Sequence, residues 1–230
     1  MKLTWFGHSG FRLEIGGKVL LIDPWFTGNP VFPEARKAEA IAGATHILLT
    51  HGHGDHAADT PALAAELEIP VICIHELSEI FTARGGIDAM GMGKGGTISL
   101  GDVAVTMVNA VHSSSMDFEG PIRYAGDPAG FMIAGEGHVI YVTGDTDIMA
   151  DMDWMGEFHK PDIGILCCGG HYTMDMARAA YAAKKYFDFK TIIPCHYKTF
   201  PILAQSAAPL ADALPGVEVR ELDVMVPTEL

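Results

Sequence analysis

Ile47-Leu48-Leu49-Thr50-His51-Gly52-His53-Gly54-Asp55-His56 carries an apolar strand-like run straight into three imidazoles and a carboxylate packed within six residues. Imidazole and carboxylate are the usual ligands of Zn²⁺, Mn²⁺ and Fe²⁺, and the two glycines let a tight loop turn alternate side chains toward one point. A hexamer of this composition arises by chance in a chain of this length on the order of 10⁻³ of the time. Without a metal, such clustered imidazoles would repel one another on protonation. In layered α/β architectures, ligands gather where strands end in loops, so this stretch predicts such a fold with its site just past the strands.

Working outward, three further residues sit at similar strand ends: His112 in Val111-His112-Ser113-Ser114, Asp145 in Val142-Thr143-Gly144-Asp145-Thr146, and His196 in Pro194-Cys195-His196-Tyr197. Each alone is equally compatible with a hydrogen-bonded histidine, a turn or a helix cap. Asp23, after Val19-Leu20-Leu21-Ile22, is either a turn residue before Pro24 or the acceptor that fixes a ligating imidazole. His8 follows a strand and a glycine, which suits a substrate contact, a proton donor or a structural hydrogen bond. The segment 113–128 has the length of a lid or binding loop, and its Arg123 is a candidate for holding an anionic substrate group.

The rest of the pattern has a two-part rhythm. Strands are predicted at 2–6, 11–15, 18–22 and 47–49, then a helix over 60–68 begun by Asp59-Thr60-Pro61, a strand at 70–74 and a helix at 76–84. Strands follow at 97–100, 103–109, 130–135 and 138–142, a helical stretch from 146 to 156, strands at 162–168 and 190–194 joined by a helix over 174–188, a closing helix at 202–213 and a strand at 217–223. Two β-rich runs that each end in alternating helix and strand suit a four-layer αβ/βα sandwich, two mixed sheets flanked by helices, with residues 1–230 as one domain.

Composition narrows the partners. With 15 basic and 29 acidic residues, the formal charge of -14 disfavours nucleic acid and anionic membranes, whose affinity comes from Lys and Arg. A small-molecule substrate is the expected partner. The N-terminus Met1-Lys2-Leu3-Thr4-Trp5 lacks a secretory h-region and no run approaches a membrane span, so a cytoplasmic location is expected. Cys73, Cys167, Cys168 and Cys195 lie in apolar runs without metal or disulfide spacing and read as buried thiols.

The ordered set His-x-His-x-Asp-His, an isolated His, Gly-Asp-Thr and a late Pro-x-His resembles that of the metallo-β-lactamase superfamily. Trp5-Phe6-Gly7-His8-Ser9, Ile22-Asp23-Pro24, His112-Ser113-Ser114, Pro128-Ala129-Gly130-Phe131 and Thr173-Met174 are similar to the metal-dependent hydrolases near L-ascorbate-6-phosphate lactonase, with a more distant likeness to the N-acyl-phosphatidylethanolamine phospholipase D type. The likeness runs from residue 2 to about 201. It implies two divalent ions, Zn or Mn ahead of Fe, with His51, His53 and His112 on one, Asp55, His56 and His196 on the other, and Asp145 between them. In such pairs, with ions roughly 3.5–4 Å apart, a bridging hydroxide attacks an ester, lactone or phosphodiester, and Asp55 orients it or takes its proton. The resemblance also implies a homo-oligomer. His171 departs from the pattern, which has an acidic or amide residue there, and is therefore a candidate for substrate preference.

Two other functions share these residues. Iron redox chemistry uses the same sandwich, but with Glu where this chain has His53, and with an attached flavin domain that 230 residues do not accommodate. A non-catalytic metal-bound sensor or scaffold would keep the fold while tolerating ligand losses, and no ligand is lost here.

Overall fold

The structure is a computed structural model that describes residues 1–230. Alternating apolar residues build an opening antiparallel meander, β1 (Lys2–Gly7), β2 (Gly10–Ile15) and β3 (Lys18–Ile22). From β3 the first sheet continues in parallel through β4 (His46–Leu48), β5 (Val71–Ile74) and β6 (Ala89–Met92). The connections carry α1 (Lys37–Ile41), α2 (Gly54–Ala57), α3 (Thr60–Leu67) and α4 (His75–Arg84).

The second sheet repeats this plan. Antiparallel β7 (Thr97–Ser99) and β8 (Ala104–Asn109) pair on to β11 (Ala129–Gly135) and β12 (His138–Val142), with the hairpin β9 (Ser115–Met116) and β10 (Arg123–Tyr124) set apart between them. Parallel β13 (Ile163–Cys167), β14 (Thr191–Cys195) and β15 (Glu218–Val219) extend it, linked by α5 (Met152–His159), α6 (Met176–Tyr186) and α7 (Ala208–Ala213). A short β16 (Thr228–Glu229) returns to β1 and closes the free edge of the first sheet. Each seven-stranded sheet is therefore mixed, as the two-part rhythm predicts.

One cluster of 65 buried hydrophobic residues runs through both sheets. The sheets meet closely at Gly135 of β11, where a Cβ would fall 2.9 Å from Ile15 Cδ1 of β2, so only glycine fits without displacing that side chain. Helix α6 begins at Asp175, whose side chain accepts from the Arg178 backbone N–H at 2.8 Å, and buries Met176, Ala179, Ala180, Ala182 and Ala183. All four cysteines are free and buried; burial pushes the Cys73 and Cys167 thiols up to about 12, and Cys168 and Cys195 well above the ordinary value. No helix is long and apolar enough to cross a membrane.

Several elements differ from expectation, each for a local polar reason. The stretch predicted as helical from 146 starts only at Met152, because Thr146 and Asp147 use their side chains on backbone groups: Thr146 Oγ1 accepts from the Val111 N–H and Asp147 Oδ1 from that of Ile148. Residues 202–207 form turns rather than the start of α7, since the Gln205 amide donates to the carbonyls of Phe200 and Leu203 and the Ala204 N–H to that of Gly169. The strand predicted over 217–223 is reduced to Glu218–Val219. Asp59 stands before α3 without capping it; its carboxylate accepts from the N–H groups of Phe26 at 2.7 Å and Thr27 at 2.8 Å instead.

Candidate metal centre

Every predicted ligand lies just past the C-terminal end of a strand: His51, His53, Asp55 and His56 after β4, His112 after β8, Asp145 after β12 and His196 after β14. The histidine-rich stretch is not wholly a loop. His53 is the extended residue before α2, whose single turn carries Asp55 and His56, so His56 points inward and is fully buried while Asp55 stays one-third exposed.

The seven side chains converge. Asp145 Oδ2 lies 3.1 Å from His196 Nε2, 3.4 Å from His56 Nε2, 3.6 Å from His112 Nε2 and 4.0 Å from His51 Nε2. His51 Nε2 is 3.0 Å from His53 Nδ1, and Asp55 Oδ2 is 4.0 Å from His56 Nε2 and 3.9 Å from His196 Nε2. Potential ligand atoms of His51, His53 and His112 all lie within 4.8 Å of one another, and so do those of Asp55, His56 and His196 together with His8.

The hydrogen bonds behind the cluster fix which ring nitrogens face inward. Asp23 accepts from the Thr50 N–H at 2.8 Å, the Thr50 hydroxyl at 2.7 Å and His56 Nδ1 at 2.8 Å. Because the Thr50 proton is given to Asp23, its oxygen accepts from His51 Nδ1 at 2.9 Å. That network assigns the Nδ1–H tautomer to both rings and turns their Nε2 lone pairs to the centre. His56 Nε2 and Asp145 Oδ1 are buried without a hydrogen-bond partner. Orphaned buried acceptors are costly, and lone pairs from imidazole and carboxylate aimed at one point are what a divalent cation satisfies. The residues present therefore fit a divalent metal ion.

Electrostatics agree with this donor set. Burial, with the neighbouring His56, holds His51 well below the ordinary imidazole value, and burial likewise depresses His53 and His112. Burial opposes ionisation of Asp145, but the fields of His196 and His56 outweigh it and keep the carboxyl well below the usual range. Burial similarly opposes ionisation of Asp55, but His56 and the hydrogen bond from His8 outweigh it and hold the carboxyl well below its ordinary value. His56 is the exception: burial lowers it, but Asp145, Asp55 and Asp23 together raise it well above the ordinary value.

The remaining candidates divide. Asp23 lies behind His56, where a ring-fixing acceptor belongs. His8, predicted to face a substrate, is instead only 1% exposed; Nε2 is 2.9 Å from Asp55 Oδ2, Nδ1 is 3.0 Å from Thr199 Oγ1, and its carbonyl accepts from the His196 N–H. Burial and the adjacent His196 push its ring down to about 4, so the neutral ring donates to Asp55 and cannot reach a substrate. Arg123 is exposed on β10 against Met116 Sδ at 3.9 Å and does not line the cavity, and His171 is exposed against the Tyr172 ring. Neither stands where substrate contact was expected; the chain places Tyr172, the next residue, on the cavity wall instead.

The cavity over the centre measures about 700 Å³ and is walled by Trp25, Ser113, Asp117, Tyr172, Phe200 and Ile202 beside the ligands. Of these walls, only Ser113 and Asp117 fall in a segment that the sequence marks as a binding loop. The aromatic ones carried a usable signal, apolar residues in loops immediately after strands β3, β13 and β14. His8, Asp23, His171 and His196 all have left-handed backbone, with φ of 54°, 44°, 58° and 56°, a conformation that non-glycine residues adopt chiefly where the surroundings impose it.

This fold is matched among known proteins. The model of the beta-lactamase superfamily domain matches residues 18–197. The chain belongs to the metallo-β-lactamase superfamily. Within it, the chain is 68% identical over its full length, and that of the relative, to a UPF0173 metal-dependent hydrolase of Paracoccus denitrificans, and 64% identical, again with full coverage of both, to one of Cereibacter sphaeroides. Among solved structures it is similar to Igni18, a metallo hydrolase from the archaeon Ignicoccus hospitalis, at a TM-score of 0.86 and 30% identity, covering 100% of this chain and 98% of that one.

Proposed function

We propose that this chain is a metal-dependent hydrolase that holds two divalent ions, Zn or Mn ahead of Fe, and cleaves a small ester, lactone or phosphodiester. The observation that carries this reading is the convergence of five imidazoles and two carboxylates on one centre, with His56 Nε2 and Asp145 Oδ1 buried and unpartnered. His51, His53 and His112 would hold one ion, Asp55, His56 and His196 the other, and Asp145 would touch both. When bound, such a pair supplies Lewis acidity and makes water nucleophilic at neutral pH. Asp23 and Thr50 hold the His56 and His51 rings in the tautomers that donation requires.

Asp55 supplies the proton chemistry. Its carboxylate lines the cavity, is held ionised, and is steadied from behind by the neutral His8 ring. In ester cleavage, water oxygen adds to the carbonyl carbon and yields a proton to Asp55; the C–O bond then breaks, and Asp55 returns the proton to the departing alkoxide.

The test strips the protein of metal, reloads it with Zn, Mn or Fe singly, and assays lactones, esters, thioesters and phosphodiesters alongside elemental analysis. Two ions per chain and turnover only in the loaded forms are expected. Saturation at one ion per chain would overturn the dinuclear site, and full loading without turnover on any member of the panel would overturn the hydrolase reading.

A further inference from the structure

Four of the six cavity walls away from the metal ligands, Trp25, Tyr172, Phe200 and Ile202, are aromatic or aliphatic. Trp25, buried to within 8%, is followed by Phe26 and Thr27, whose backbone N–H groups are tied to the Asp59 carboxylate at 2.7 and 2.8 Å; the Phe200 ring stands 6.1 Å from the Trp25 ring. Tyr172 and Ile202 leave 59% and 56% of their surface in water at the same cavity. Exposed apolar side chains grouped beside convergent polar groups mark a binding surface.

Charge points the same way. None of the residues lining the cavity is Lys or Arg, and three are carboxylates: Asp55, Asp117 and Asp145. Asp55 and Asp145 face the metal centre, whereas Asp117 is occupied only by the Gly54 N–H at 3.1 Å and leaves net negative charge on the wall. The one arginine that the sequence offers for anion capture, Arg123, lies outside. A phosphate or carboxylate on the non-reacting part of a substrate would lose its hydration against Trp25 and Phe200 with no Lys or Arg on those walls to replace it, the bound ions being engaged at the reacting end, which is unfavourable.

Resting on the hydrolase reading above, we infer that the substrate is an ester or lactone whose non-reacting part is an uncharged alkyl or aryl group, seated between Trp25, Phe200, Tyr172 and Ile202, and that substrates carrying a remote phosphate are rejected. Binding of that group stabilises substrate and transition state alike, so it acts on KM more than on kcat.

The experiment uses matched γ-lactones with a pentyl tail or a phosphate-ended tail of the same length, and their γ-lactams, which resist hydrolysis, as binding probes in calorimetry on the metal-loaded protein. The pentyl lactone should be turned over with a kcat/KM at least tenfold higher than its phosphate counterpart, and the pentyl lactam should bind at least tenfold tighter. Tyr172→Ala and Ile202→Ala, both at exposed positions, should raise KM for the pentyl lactone severalfold and by more than for γ-butyrolactone, and Tyr172→Lys should shrink or invert the preference. Equal or tighter binding of the phosphate-tailed lactam overturns the inference even when lactones are hydrolysed. Failure to hydrolyse any lactone, ester, thioester or phosphodiester overturns the hydrolase reading, and the lactam affinities then still decide which tail the cavity accepts.

Discussion

Asp55 stands in two relationships at once, near His56 and His196 on the metal side and hydrogen-bonded to His8 behind, and its neighbours on α2 do not share that position. Asp55→Ala is therefore expected to lower kcat by at least a hundredfold, with far-ultraviolet circular dichroism unchanged because the side chain is one-third exposed at the cavity wall. On the proposed reading, His53→Ala removes a metal ligand that does no proton transfer. Excess metal should restore part of its activity but little of the activity of Asp55→Ala, and turnover measured across a metal titration separates the two. Near-wild-type turnover by folded Asp55→Ala would sink the proton-transfer role. The ligand types were legible in sequence because imidazoles and carboxylates crowd one stretch and recur after strands. The orientation of His8 was not. A histidine after Gly7 reads the same whether its ring faces solvent or Asp55, and only the left-handed backbone at His8 and the contact with Thr199, 191 residues away, turn it inward.

At the level of elements, α6 illustrates what sequence periodicity does carry. Its alanine-rich face and the Asp175 cap are local signals, and the helix forms within two residues of its expected ends. Asp175→Ala removes the bond to the Arg178 N–H and should lower stability by about 1 kcal/mol, lowering the melting temperature by roughly 2–4 °C in a chain of this size. An unchanged melting temperature by calorimetry would show that the cap is replaced by solvent. Two elements that escaped, β6 and β16, lack such local marks. Ala89–Met92 contains Gly91 and is followed at once by Gly93, and it becomes a strand only because β5 offers an edge; Thr228–Glu229 likewise pairs with β1 across the whole length of the chain. Tertiary pairing, not propensity, makes them strands.

For the molecule as a whole, the site couples acidity to stability. His51, His53, His112 and His8 all titrate below their ordinary 6.5 in the folded chain, His8 at about 4, because burial disfavours their charged forms. Between pH 6.5 and about 4 the unfolded chain thus takes up protons that these native rings refuse, so stability falls as pH falls through that window. His56, raised by its carboxylates, works in the opposite sense, one ring against four. Bound metal and melting temperature should therefore decline together below pH 6.5, the metal competing with the same protons. A melting temperature that rises on acidification to pH 5 would contradict this. The four buried thiols add a different use for the architecture. With Cys73 in the first sheet, Cys167 and Cys195 in the second and Cys168 just past the end of β13, all shielded and all protonated at neutral pH, an alkylating reagent meets them only when the structure opens. The order in which they are labelled is consequently a clock for breathing of the two halves, readable peptide by peptide in a mass spectrometer without introducing a single foreign probe.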